Sequence, residues 1–163
     1  MAQQFGRHHD AFQWVRASNG SIPPNAVQGG MEDDGRPLFI ARQSHEGSVI
    51  PGKAASHIGG IMVSYGGQEV HYKDYEVLVG DARLLQWKEV YGRLTIQGWV
   101  PFACGHEANG LELYICKTRI GSGEVIGKVS TEMATGMVYG YDTKETSVKE
   151  SDVYYVLSIP QGV

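Results

Sequence analysis

Two acidic residues, each followed 21 positions later by a lysine, have the types and spacing that could do chemistry in this sequence. They are Glu32 with Lys53, and Glu107 with Lys128. Each acid precedes a glycine turn and each lysine follows a glycine, which favours strand or loop ends where side chains can reach a ligand. A carboxylate accepts hydrogen bonds from two neighbouring hydroxyls, and an ammonium donates to hydroxyl oxygen. The pattern predicts two sites that bind the vicinal diol of a sugar without catalysis.

The alternative interpretation of each pair is a surface salt bridge or two unrelated solvated charges, which contribute at most about 1 kcal/mol. Spacing alone favours this alternative. Retention of the pairs in both halves favours a function, because nearby charges have changed: Asp34 in the first half corresponds to Asn109 in the second, and Arg36 corresponds to Leu111.

Further repeated charges are candidates for supporting roles. Glu69 and Glu145 either line the same pocket or bond backbone amides at a turn. Arg42 and Lys117 end the segments LFIAR and LYICK, and we expect each to hold an acid in place from behind.

These residues belong to an internal duplication. Residues 29–53 return as residues 104–128 at a constant offset of 75, without a gap. Trp14 corresponds to Trp87 outside this block, and for this pair core packing is favoured over sugar stacking. The matched positions within the block are Gly30 with Gly105, Glu32 with Glu107, Gly35 with Gly110, Leu38 with Leu113, Ile40 with Ile115, Arg42 with Lys117, Gly52 with Gly127, and Lys53 with Lys128.

The local patterns are those of strands and turns. LFIAR and LYICK read as short strands, each preceded by a glycine turn, and residues 69–79 and 151–159 read as longer strands. Each copy of about seventy residues is too small to be stable alone, so we predict an all-β protein in which two copies share one core about a pseudo-twofold axis. The predicted divisions are a tail at 1–13, a first repeat at 14–80 and a second repeat at 81–159.

Composition excludes several classes of function. A net charge of -4 provides no basic face for nucleic acid or anionic lipid. The first residues contain no apolar run of signal-peptide type, so we expect a cytoplasmic protein, with secretion by a non-classical route left open. Cys104 and Cys116 lack zinc-binding spacing and are expected to be buried free thiols. Because no nucleophile motif accompanies Ser44 with His45 or Cys104 with His106, we expect no enzyme.

The two copies, over residues 14–157, resemble the DM-nine repeat family, which also forms the amino-terminal part of natterin-like proteins. In the first copy the resemblance rests on the tryptophan, the IPxxAV segment, the G-x-E-x-D-G turn, FIAR, the PGK triplet and YEVL, in that order. In the second copy the tryptophan, G-H-E-x-N-G, LYI, GK and YxVL remain, while the IPxxAV segment is degraded.

The resemblance implies a lectin that binds mannose and high-mannose glycans without a metal ion or other cofactor, often as a homodimer, in recognition of microbes in innate immunity. The sugar-binding residues it implies are Glu32, Lys53, Glu107 and Lys128. Glutamate stands here where the family often has aspartate, and the extra methylene can shift the pocket. The alternative, from a different class, is an interaction or scaffold module that binds another protein and no sugar.

Overall fold

Strands and tight turns form almost all of the chain in the computed structural model, which describes residues 11–160. The predicted tail therefore lies mostly outside the described residues, and the first strand begins at Phe12, two positions before the predicted repeat boundary. The all-β prediction is confirmed. A short 3₁₀ helix, Ala82–Leu84, connects the two copies.

The first copy contains seven strands. The segment LFIAR lies in β3 as predicted, whereas the single long strand predicted over residues 69–79 is divided by a bend at Lys73 into β6 and β7. The strands are β1 (Phe12–Ser18), β2 (Gln28–Met31), β3 (Pro37–His45), β4 (Ser48–Ala55), β5 (Gly60–Tyr65), β6 (Gln68–Tyr72) and β7 (Asp74–Gly80).

The second copy repeats this order with one addition, the two-residue strand β9 (Val100–Pro101). LYICK lies in β11, the counterpart of β3. The other strands are β8 (Gln86–Tyr91), β10 (Ala103–His106), β11 (Glu112–Ile120), β12 (Gly123–Val129), β13 (Val138–Tyr141), β14 (Lys144–Ser147) and β15 (Val153–Ile159).

The two copies exchange strands. In the first copy β2 pairs with its neighbour β3 and, on its other side, with β12 of the second copy, where Met31 lies opposite Glu124. In the same way β10 pairs with β11 and with β4, where His106 lies opposite Val49. Together with the hairpins β3–β4 and β11–β12, these pairings close a six-stranded barrel in the order β3–β2–β12–β11–β10–β4. Closure leaves the barrel strands without a free edge.

Two glycines of the repeated block make the exchange possible. A side chain on Gly30 would begin 2.5 Å from the carbonyl oxygen of Glu124, and one on Gly105 would begin 2.0 Å from that of Val49. Both distances are shorter than any van der Waals contact, so only glycine lets the backbones approach this closely. The glycine of G-x-E therefore recurs in both copies for a packing reason.

The core has a central part shared by both copies and a smaller part within each. The shared cluster contains Leu38 and Ile40 from the first copy with Ile115 and Leu157 from the second, all at most 1% exposed. Trp14 and Trp87 pack against this cluster, which confirms their predicted core role. The prediction of one shared core about a pseudo-twofold axis is confirmed.

Replacement of Gly105 by alanine is predicted to destabilise the protein by about 2–4 kcal/mol, because the added methyl group forces β10 away from β4. Chemical denaturation of the purified variant measures this loss. Gly35→Asn is the control: that position has φ +93 with open space around it, so the substitution adds backbone strain, least for asparagine among side chains, but no clash with another strand. A Gly105→Ala loss no larger than that of the control would contradict the proposed role of the close approach.

Candidate functional site

The two predicted acids occupy equivalent turns. The carbonyl of Glu32 accepts a hydrogen bond from the amide of Gly35 at 3.0 Å, and the carbonyl of Glu107 accepts one from Gly110 at 2.9 Å. Both glycines have positive φ, 93° and 90°, as the glycine turns predicted. The hairpins β2–β3 and β10–β11 therefore present Glu32 and Glu107 at the same point of each copy.

The two turns keep the same geometry although Asp34 in the first corresponds to Asn109 in the second. The Asp34 side chain accepts a hydrogen bond from the amide of Arg36 at 3.1 Å, and the Asn109 side chain accepts one from that of Leu111 at 3.0 Å. Either side chain supplies the oxygen that this turn needs. The hydrogen bonds from Arg36 also lower the pKa of the Asp34 carboxyl.

The carboxylate of Glu32 is held by a histidine that sequence reasoning missed. Nε2 of His57, in the turn between β4 and β5, lies 2.8 Å from Oε2 of Glu32. The Glu32 side chain is 35% exposed and that of His57 is 18% exposed. No repeated motif pointed to His57, because the second copy has Glu132 at the equivalent position, where it pairs with Arg93 at 3.0 Å.

Glu32 and Lys53, which were predicted to hold one sugar together, form no ion pair with each other and have other partners. Nζ of Lys53 lies 3.3 Å from Oε2 of Glu69 and donates a hydrogen bond to the carbonyl of Gly140 at 3.1 Å. The side chains of Lys53 and Glu69 are only 12% and 6% exposed. The acid that faces Lys53 is therefore Glu69, which the sequence indicated only as a possible supporting residue.

The second copy repeats this arrangement. Nζ of Lys128 lies 3.0 Å from Oε2 of Glu145 and donates to the carbonyl of Ser64 at 2.7 Å. Oε2 of Glu145 is buried and makes no well-aligned hydrogen bond, so its contact with the ammonium is chiefly electrostatic. The carboxylate of Glu107 is not the partner of Lys128, and no side chain among residues 11–160 forms a hydrogen bond or an ion pair with it.

Each lysine and glutamate pair fastens the opposite copy. The amide and side chain of Glu69 bond the carbonyl and amide of Thr143 at 3.0 and 3.1 Å. In the reciprocal contact, Glu145 bonds the carbonyl and amide of Gly67 at 2.9 and 3.2 Å. The hairpins β5–β6 and β13–β14 are thereby joined. We call the four residues Lys53, Glu69, Lys128 and Glu145 the inter-copy clamps.

Arg42 and Lys117 each hold an acid, as expected, but neither acid is among the predicted sugar-binding residues. Nε of Arg42 donates to Glu76 at 2.9 Å, and Nζ of Lys117 lies 3.2 Å from Glu124. The two cations also lie over the rings of Trp14 and Trp87, at 4.1 and 4.6 Å from the ring centroids. Such cation–π contacts fix the tryptophans against the core.

Other groups that could carry chemistry have structural environments. Cys104 and Cys116 are buried and free, which confirms their prediction, and burial raises the pKa of both thiols. Within the described part of the chain, no cluster of three or more His, Cys, Asp or Glu side chains could hold a metal ion. Over the same residues, no helix has the length and apolar character needed to cross a membrane.

The family model of the DM9 repeat matches the chain twice, at residues 5–72 and 42–148. The chain belongs to the DM9 repeat family. No curated protein sequence matches it significantly.

Among solved structures, the chain is similar to the crystal structure of the nematode sperm cell motility protein MFP2B, with a TM-score of 0.65 and 12% sequence identity. The match covers 93% of this chain and 48% of that chain, so this chain spans about half the length of MFP2B. At this identity the similarity is one of fold.

Lys128→Ala is predicted to lower the free energy of unfolding by about 3–5 kcal/mol, because it leaves the largely buried carboxylate of Glu145 without a counter-ion. Urea denaturation measures the change. Lys149→Ala is the control, since Lys149 is exposed and its side chain forms no ion pair within residues 11–160; we expect less than about 0.5 kcal/mol there. Equal effects of the two substitutions would contradict a clamp role.

Both thiols are predicted to resist alkylation in the folded protein at pH 8, because burial raises their pKa and blocks access. Mass spectrometry after iodoacetamide treatment should show no carbamidomethylation of the native protein and two modifications after denaturation. Rapid native labelling of Cys104 would contradict the packing of β10.

Proposed function

We propose that this DM9 repeat protein is a carbohydrate-binding protein that recognises mannose-type sugars without a metal ion, through a site centred on Glu32. The proposal rests on the sugar-binding role that the family resemblance implies for the G-x-E turn. It is refined by the contacts of Glu32, because the predicted lysine partner is engaged elsewhere.

The observation that carries the proposal is the state of the Glu32 carboxylate. Oε2 is oriented by His57 at 2.8 Å, while Oε1 has no partner among residues 11–160, and the side chain is 35% exposed. A fixed, accessible carboxylate oxygen can accept hydrogen bonds from sugar hydroxyls with little loss of side-chain entropy. A neutral sugar also leaves the contact between Glu32 and His57 intact.

Lysines contribute less to this site than their spacing indicated. The ammonium of Lys53 donates a hydrogen bond to the carbonyl of Gly140 and forms an ion pair with Glu69, so it is already engaged by two partners. Lys128 is more deeply buried, at 5% exposure, and is engaged in the same way. In the proposed site Lys53 is a secondary contact, and the glutamate makes the principal one.

The two copies are proposed to bind sugar unequally. The second-copy acid, Glu107, lacks the histidine that orients Glu32, because Glu132 occupies the position of His57 and pairs with Arg93. A carboxylate that no side chain orients loses more side-chain entropy when it binds a ligand. We therefore expect the first copy to hold the stronger site.

Affinity for a single sugar is expected to be weak, with a Kd of about 1 mM, because a shallow site makes few hydrogen bonds. Two sites per chain and a homodimer would raise avidity toward high-mannose glycans on microbial surfaces. The proposed setting of this recognition is the cytoplasm.

Glu32→Gln is predicted to weaken binding of methyl α-mannoside at least about tenfold, since a neutral amide is a poorer acceptor than a carboxylate. His57→Ala should weaken it less, because it frees the carboxylate without removing it. Isothermal titration measures both. Glu89→Gln, at an exposed glutamate of β8, is the matched control and should bind like the wild type. Wild-type affinity of Glu32→Gln would overturn this site.

The second candidate function is a protein-interaction module without sugar binding. It is favoured by strand β8, which pairs only with β15 among the described strands and ends at Tyr91, which is 60% exposed. Such an edge can accept a strand from another protein. MFP2B is named as a motility protein. A glycan array on which the chain binds no saccharide would favour this candidate.

We also propose that the chain is not an enzyme. Release of sugar from an oligomannoside incubated with the chain would contradict this.

A further inference from the structure

A cleft of about 660 Å³ opens on the first copy, and its lining includes none of the four residues predicted to bind sugar. Its lining comes from β1, β3, β4 and β7 of the first copy and from β10 of the second. The volume is within the range of roughly 300–1,000 Å³ that small-molecule sites occupy.

A charged row forms one wall of the cleft. Glu76 of β7 lies in register with Arg16 of β1 on one side and with Arg42 of β3 on the other. Arg42 is immobilised: it donates to Glu76 at 2.9 Å and to the carbonyl of Cys104 at 2.8 Å, and its guanidinium lies over Trp14. The wall is therefore ordered before any ligand arrives, which lowers the entropic cost of binding.

Several polar groups around this wall are unused. Within residues 11–160, the exposed side chains of Arg16 and Asp74 form no hydrogen bond or ion pair, and the hydroxyl of Ser44 has no partner. Nδ1 of His106 bonds the carbonyl of Glu107 at 2.9 Å, which leaves its Nε2 open. The cleft thus offers donors and acceptors side by side.

The charges select the class of ligand. The lining carries two arginines and two carboxylates, Asp74 and Glu76, so it is neutral overall when His106 is uncharged. An anion near Arg16 would also approach these carboxylates, and a cation would approach the arginines. A hydroxyl group both donates and accepts, and it therefore suits alternating acceptors and donors without a charge penalty.

The equivalent surface of the second copy carries different groups. Glu89 replaces Arg16, Val153 replaces Asp74 and Tyr155 replaces Glu76 in the strand alignment. Glu124, the counterpart of Val49, pairs with Lys117 at 3.2 Å. The alternating arrangement of charges belongs to the first copy.

We propose that this cleft is a second saccharide subsite, specific to the first copy, that binds a neutral, hydroxyl-rich sugar between Arg16, Asp74 and His106. It rests on the proposed function only for the class of ligand. Its residues are separate from Glu32 and His57, so the two sites can be tested independently.

The test is a titration of the ¹⁵N-labelled full chain with the methyl glycosides of mannose, glucose, galactose and N-acetylglucosamine, monitored by amide chemical shifts. At least one glycoside should produce saturable shifts at Ser44, Gly105 and His106. The double substitution Arg16→Gln with Asp74→Asn removes one charge of each sign from exposed side chains. It should raise the Kd obtained from these shifts at least about tenfold. Lys88→Gln with Glu89→Gln, on β8, is the charge-matched control and should leave them unchanged.

The inference is overturned if none of the four glycosides shifts these amides, or if the double substitution in the cleft leaves their titration unchanged. The proposed function fails separately. Suppose that the wild type shows shifts at the cleft but none around His57, and that the cleft shifts persist in Glu32→Gln. The Glu32 site would then be refuted and the cleft site supported. Shifts around His57 alone would do the reverse.

Discussion

The exchange of strands between the two copies is the constraint on which the rest of this structure depends. β2 and β10 each pair with a strand of the opposite copy. This pairing requires glycine at positions 30 and 105, because any side chain there would clash with the backbone of the facing strand. Around this barrel the inter-copy clamps fasten the outer hairpins to one another. Because neither copy closes its own barrel, the copies fold as one unit.

This constraint explains why most of the fold could be predicted from the sequence and part of the site could not. Strand patterns, the turns at Gly35 and Gly110, and the duplication are local signals that survive in both copies. The partner of Lys53 is not local: Glu69 lies across a hairpin, and its backbone contact, Thr143, lies in the other copy. Repetition of a lysine and an acid indicated that the pair matters, without indicating whether for a ligand or for stability.

The inter-copy clamps and Glu32 differ in what their charges contact. The clamp residues are engaged with one another and with the opposite copy, whereas Glu32 has a carboxylate oxygen that a ligand can reach. The clamps recur in both copies with the same partners, as expected for residues that hold a symmetric interface. Glu32 keeps its turn in both copies, but its contact with His57 exists only in the first. In the second copy Glu132 stands in the place of His57 and pairs with Arg93 instead. The proposed sugar site is therefore argued from a contact that the two copies do not share.

The central claim is that an oriented, exposed carboxylate at Glu32 accepts the hydroxyls of a neutral sugar. A crystal structure of the chain soaked with mannobiose tests it most directly. The account predicts adjacent sugar hydroxyls within about 3 Å of Oε1 of Glu32. The contact between His57 and Oε2 of Glu32 should be unchanged, and the inter-copy clamps should stay intact. A sugar bound with no contact to Glu32, or one that draws Lys53 away from Glu69, would contradict it.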